Sequence, residues 1–206
     1  MQVNTIVVGP LQTNCYVLST DERDAVIIDP GDDADRIIQH IRMHDLSVKG
    51  IWLTHGHFDH VQAVGELKRV FGCPVTACLS EKMLLEDANY NLSMPFSGLP
   101  VTVQADVWHT DNDTFSFGDE TVRVLHTPGH TSGSCCYQVG NWLFSGDTLF
   151  NRSIGRTDFP TGDVPAMRAS LARLADLDGE YTILSGHGPA TTLSAERREN
   201  PYLAHI

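Results

Sequence analysis

Residues 51–61 read Ile51-Trp52-Leu53-Thr54-His55-Gly56-His57-Phe58-Asp59-His60-Val61, an apolar strand pattern that runs directly into three histidines and an aspartate. A chance His-x-His-x-Asp-His would arise on the order of 0.002 times in a chain of this composition, so coincidence does not account for it. The position matters as much as the composition. Where a strand gives way to a loop, alternate side chains are presented to a common point, and Gly56 leaves the backbone room to turn. Four such side chains in one loop exceed what a single ion takes easily. Neutral imidazoles with a carboxylate suit zinc, or iron and manganese, better than calcium, and two adjacent divalent ions are the natural reading, zinc foremost.

Further ligands are expected from other strand ends. Three glycine-flanked loops beside predicted strands each offer one: Thr127-Pro128-Gly129-His130-Thr131, Ser145-Gly146-Asp147-Thr148 and Ser185-Gly186-His187-Gly188-Pro189. Together with His55, His57, Asp59 and His60 they make seven candidate metal residues, more than the four of a closed structural site.

Short Val- and Ile-rich runs bounded by Gly, Pro, Asn and Asp predict strands at 3–8, 14–18, 25–28 and 48–53. Helical spacing of Ile37, Ile38 and Ile41 after an Asp-rich start predicts a helix over 33–45, and Val61, Val64 and Leu67 predict another over 61–70. A strand after Pro74, a helix near 80–87 and an irregular, pocket-bordering loop at 88–100 complete the first half. The order then repeats, with strands near 114–117, 121–126, 134–139 and 142–145, a loop at 146–163, a helix near 164–175, a strand at 181–184 and a short last helix. This is an α+β pattern of two packed sheets covered by helices, read as one domain over 1–206 with internal pseudo-duplication.

On these motifs the chain resembles the metallo-β-lactamase superfamily. The resemblance implies an αββα sandwich, with His55, His57, His130 and Asp147 on one ion, Asp59, His60, Asp147 and His187 on the other, and Asp147 bridging. Gly129-His130-Thr131-Ser132-Gly133 and Gly146-Asp147-Thr148-Leu149-Phe150 are most similar to glyoxalase II, the hydroxyacylglutathione hydrolases, especially the short bacterial forms. Ser153-Ile-Gly-Arg156-Thr-Asp158-Phe159-Pro is similar both to those and to the iron-dependent persulfide dioxygenases. The implied reaction is attack of a metal-activated hydroxide on the carbonyl of a small-molecule acyl-thiol substrate, with Asp59 holding the nucleophile as well as ligating. Full-length glyoxalase II has a further basic helical region for glutathione, whereas 19 residues follow His187 here. Arg156 is the expected substrate-binding residue, its guanidinium a fork for a carboxylate.

Composition narrows the alternatives. The chain has 206 residues, 41% hydrophobic and 19% charged, with a formal charge of −12, which fits a folded globular protein and opposes approach to a phosphate backbone. No nucleic acid and no membrane are expected as partners. The first ten residues lack a basic, apolar export pattern and the five cysteines lack framework spacing, so a cytoplasmic protein with free thiols is expected. That also argues against a secreted β-lactamase. His40, His44, His109, His126 and His205 read as structural, Asp29-Pro30-Gly31 as a turn or a support for the ligands, one of Cys135 and Cys136 as core-facing, and the Trp and Phe positions as core.

Overall fold

The computed structural model describes residues 1–204, so His205 lies outside the described residues. The chain forms two compact units, Met1–Ala77 with Lys82–Trp108, and Cys78–Glu81 with the chain from His109 onward. Each is built on a mixed six-stranded sheet with helices against it.

In the first unit, β1 (Gln2–Val8), β2 (Thr13–Ser19), β3 (Asp24–Ile28), β4 (Ser47–Trp52), β5 (Val75–Cys78) and β6 (Val107–His109) lie in that spatial order. β1, β2 and β3 pair antiparallel, while β3, β4 and β5 run parallel. The parallel steps need helical crossovers, which α1 (Ala34–Met43) and the pair α2 (Phe58–Val61) and α3 (Val64–Phe71) supply. Ile37, Ile41, Val64 and Leu67 face the sheet and join Val17, Ile27, Ile51 and Val75 in one buried cluster. Two short helices follow, α4 (Lys82–Glu86) and α5 (Ser93–Ser97).

In the second unit, β7 (Thr114–Phe117), β8 (Glu120–His126), β9 (Cys135–Val139) and β10 (Trp142–Gly146) form an antiparallel meander. After the small β11 (Leu149–Phe150) and β12 (Ser153–Ile154) hairpin and α6 (Val164–Ala175), β13 (Thr182–Ser185) pairs parallel to β10, and β14 (Thr191–Thr192) leads into α7 (Leu193–Glu199). Met167, Leu171 and Leu174 of α6 pack on Leu125, Leu143 and Ile183. Asp163 caps α6 by accepting from the Ala166 amide at 2.7 Å, and Pro165 occupies its first turn.

Strand direction decides where the loops fall. β3 and β4 are parallel, so their C-terminal ends share one edge of the first sheet. β8 and β10 are each antiparallel to β9, and β13 is parallel to β10, so the C-terminal ends of all three share one edge of the second. Every candidate ligand follows one of these ends.

The sequence pattern misses β6, α5, β11, β12 and β14, all of five residues or fewer. The expected 61–70 helix starts earlier and is split, α2 ending at Val61 and α3 starting at Val64. The 88–100 segment contains α5, and Phe96, expected in the core, is largely exposed. Cys135 and Cys136 are both fully buried, because both faces of β9 are covered, where one core-facing thiol was expected. All five cysteines are free thiols. No helix among the described residues is long and apolar enough to cross a membrane.

Leu171 is 1% exposed in the α6 core. Leu171→Ala should therefore cost about 2–5 kcal/mol, whereas the exposed Val164→Ala should stay within about 0.5 kcal/mol, measured as denaturant midpoints.

Candidate metal centre

The first unit holds four of the seven candidates, His55 and His57 on the loop leaving β4 and Asp59 and His60 on α2. Asp29, just after the neighbouring strand β3, is 2% exposed and organises two of them, His55 and His60. Its carboxylate accepts from the Thr54 amide (2.8 Å), the Thr54 hydroxyl (2.6 Å) and His60 Nδ1 (3.0 Å). Because the Thr54 hydroxyl gives its proton to Asp29, Thr54 Oγ1 can only accept from His55 Nδ1, 3.1 Å away. Both imidazoles thus carry their proton on Nδ1 and aim an Nε2 lone pair outward. One buried carboxylate sets two tautomers.

His60 Nε2 lies 3.6 Å from Asp59 Oδ2, which accepts a hydrogen bond from the Thr13 hydroxyl at 3.1 Å. Gly31 makes this approach possible. A Cβ there would sit 1.6 Å from the Asp59 carbonyl oxygen, so only glycine lets the β3 loop reach α2. The sequence reading of Asp29-Pro30-Gly31 as either a turn or a support resolves in favour of a support. Asp29, His55 and His60 have ligand-type atoms within 4.8 Å of one another, but the hydrogen bonds on Asp29 mark it as the holder of the imidazoles.

The second unit holds His130, Asp147 and His187 at the shared end of β8, β10 and β13. His130 Nε2 and His187 Nε2 each lie 3.6 Å from the same Asp147 oxygen, Oδ2. His130 Nδ1 is 2.7 Å from the Arg156 carbonyl, which can only accept, so this ring too presents its Nε2 lone pair. A register shift between Phe144 and Gly146, with Gly146 at φ 49°, turns Asp147 out of the strand. Gly155 is again obligatory, since a Cβ would lie 1.7 Å from the Asp147 carbonyl oxygen and 3.1 Å from His130 Nδ1.

These separations test whether the residues fit metal ions. The outward His130 Nε2 lone pair and the Asp147 carboxylate oxygen repel one another, and at 3.6 Å they are farther apart than a hydrogen bond. A cation between them satisfies both, and His187 Nε2 stands at the same distance from that oxygen. The donor set fits.

Arg156 departs from expectation. Its guanidinium is bidentate to Asp158 at 2.7 and 2.8 Å and lies 3.7 Å over the Phe159 ring, so the fork expected to hold a substrate carboxylate is already engaged. The same pairing holds the Asp158 carboxyl down at about 2. Residue 156 reaches the site through its carbonyl instead.

Glu81 and Thr13 were not found from the sequence. Glu81, 1% exposed, accepts from Thr131 Oγ1 (3.0 Å) and the Gly133 amide (2.8 Å), anchoring the His130 loop from 50 and 52 positions away. Nothing local marks either residue. Gly133 permits the close approach, because a Cβ there would meet the Glu81 backbone at 2.2 Å. His126 keeps its structural reading, with Nε2 2.9 Å from the Ser132 carbonyl. Burial pushes the Cys136 thiol up to about 11, which disfavours the reactive thiolate.

Imidazoles oriented from behind and gathered with carboxylates at strand ends define a metal-binding enzyme. The profile of the metallo-beta-lactamase superfamily matches residues 8–187, and the chain belongs to that superfamily, whose members are mostly metal-dependent hydrolases. It is 37% identical over 210 residues to the hydroxyacylglutathione hydrolase GloC of Haemophilus influenzae, covering 98% of each chain. Among solved structures, BLEG-1, described as a B3 metallo-beta-lactamase, superposes with a TM-score of 0.93 at 41% identity, over 98% of this chain and 99% of that one. TTHA1623 in a di-iron-bound form gives 0.86 at 37%, over 97% and 100%.

Asp29→Asn should place an amide where Thr54 and His60 need an acceptor, reversing both tautomers. Metal affinity, measured by competition with a chromophoric chelator, should fall about 10- to 100-fold with the fold retained. Unchanged affinity would remove Asp29 from the centre.

Proposed function

We propose that this protein is a two-metal thioester hydrolase acting on acyl-thiols, similar to the hydroxyacylglutathione hydrolases. The observation that carries this reading is the single Asp147 oxygen 3.6 Å from both His130 Nε2 and His187 Nε2, the arrangement expected of a carboxylate shared by two ions. The full-length similarity to GloC supports the substrate class. The ligand sets follow the superfamily resemblance: His55, His57, His130 and Asp147 for one ion, and Asp59, His60, Asp147 and His187 for the other.

Bound ions, zinc foremost, would supply a water acidified toward neutrality and a polarised carbonyl. Asp59 is the group that orients the nucleophile. Thr13 fixes one of its oxygens at 3.1 Å, which holds the carboxylate in one rotamer. A thiolate leaves readily at neutral pH, so a thioester needs no dedicated general acid. The imidazoles must be neutral to serve as ligands, so metal and rate should both be lost below about pH 6.

The stretch from Ser153 to Pro160, similar to the persulfide dioxygenases, favours a second reading, in which this chain holds a single iron and consumes oxygen. Metal content and an oxygen electrode separate the two, and a β-lactam substrate beside the thioesters tests the activity named for BLEG-1.

Asp147→Ala should release both ions and lower thioester turnover by several orders of magnitude, whereas His57→Ala should weaken mainly one ion. Metal analysis of the two variants checks this, and equal loss of a single ion from both would refute a shared Asp147.

A further inference from the structure

One stripe of α6 forms the wall of a cleft in the second unit. Val164, Met167, Arg168 and Leu171 recur at the three- and four-residue spacing that puts side chains on one helix face, and all four line it. Ile154 and Thr157, at and after β12, and Pro201 and Tyr202, after α7, complete the lining. The cleft holds about 300 Å³, the lower end of the range for small-molecule sites. Met167 and Leu171 are buried whereas Val164 and Tyr202 are exposed, which gives an apolar floor and an open rim. None of the seven metal residues lines it.

The chemistry of the lining selects a ligand. Five of the eight residues are apolar, none is acidic, and Arg168 is the one cation among them. Its guanidinium makes no ion pair or hydrogen bond with any described residue. The acids that flank the lining segments in sequence are already engaged: Asp158 with Arg156, Asp163 with the Ala166 amide, and Glu199 with Arg152 and Arg198. Arg168 therefore has no counterion of its own in a chain of net charge −12. A guanidinium fork matches a carboxylate with two parallel hydrogen bonds. The apolar floor requires the rest of the ligand to be hydrocarbon, which opposes a bare inorganic anion, and the volume suits a single small molecule.

We propose that this cleft is a second ligand site, separate from the metal centre, that takes a small apolar carboxylate, with its hydrocarbon on Met167 and Leu171 and its carboxylate on Arg168. The site stands independently of the thioester reading.

The test is calorimetry of the zinc-loaded protein with hexanoate and with hexanamide, its uncharged counterpart. Hexanoate should bind, and Arg168→Gln should weaken it about tenfold while leaving hexanamide unchanged. Arg168 is exposed, so the variant should fold. In ¹³C-methyl spectra of the same titration the Met167 resonance should move, and Val164→Trp, which fills the rim, should abolish the shift. No binding of hexanoate overturns the proposal. Binding that Arg168→Gln leaves unchanged and that does not move Met167 also overturns it, assigning the carboxylate to the zinc ions. A dimer in sedimentation that Val164→Trp dissociates, with no hexanoate shift at Met167 in the wild type, overturns it in favour of a second copy.

Discussion

Electron-rich ligands do not gather unaided. Lone pairs of imidazole and the oxygens of carboxylates repel when brought within 4 Å, so a protein that assembles them before metal arrives must hold each one from behind. Here that work falls, for three of the rings, on hydrogen bonds to the far nitrogen: Asp29 to His60, Asp29 through Thr54 to His55, and the Arg156 carbonyl to His130. Each bond fixes a tautomer and a direction together. Without them the same residues would make hydrogen bonds with one another and offer an ion nothing.

The sheets serve this requirement. Parallel pairing of β3 with β4 puts Asp29 beside the His loop, and the β8, β9, β10, β13 order brings His130, Asp147 and His187 to one edge. Backbones must then approach closely enough for the supports to reach. Gly31 and Gly155 allow this, each admitting a carbonyl oxygen where any side chain would collide. Burial completes the arrangement, since Asp29, His55, His60 and His130 are all 2% exposed or less, in a low-dielectric setting where misplaced charge is costly.

The candidate ligands stand out in the sequence because their chemistry is dense and local. His55 to His60 declare themselves in six positions, and β1, β2, β3 and the β7 to β10 meander need only alternation and turn residues. Their supports were not legible, because support is a long-range relation: Asp29 to His60 spans 31 positions and Glu81 to Gly133 spans 52. Arg156 was misread for the opposite reason. Its side chain suggests recognition, but a partner two residues away, Asp158, claims the guanidinium and leaves the carbonyl to do the positioning. Segment 88–101 lacks periodicity because its helix, Ser93–Ser97, is short.

The most direct test of this account is the protonation state of the ring nitrogens. Long-range ¹H–¹⁵N correlation spectra of the zinc-loaded protein should show His55, His60 and His130 protonated at Nδ1, with their Nε2 resonances shifted by the metal. Nε2–H signals from these rings, or Nδ1 shifted by zinc, would contradict the claim that the hydrogen bonds behind the ligands build the centre.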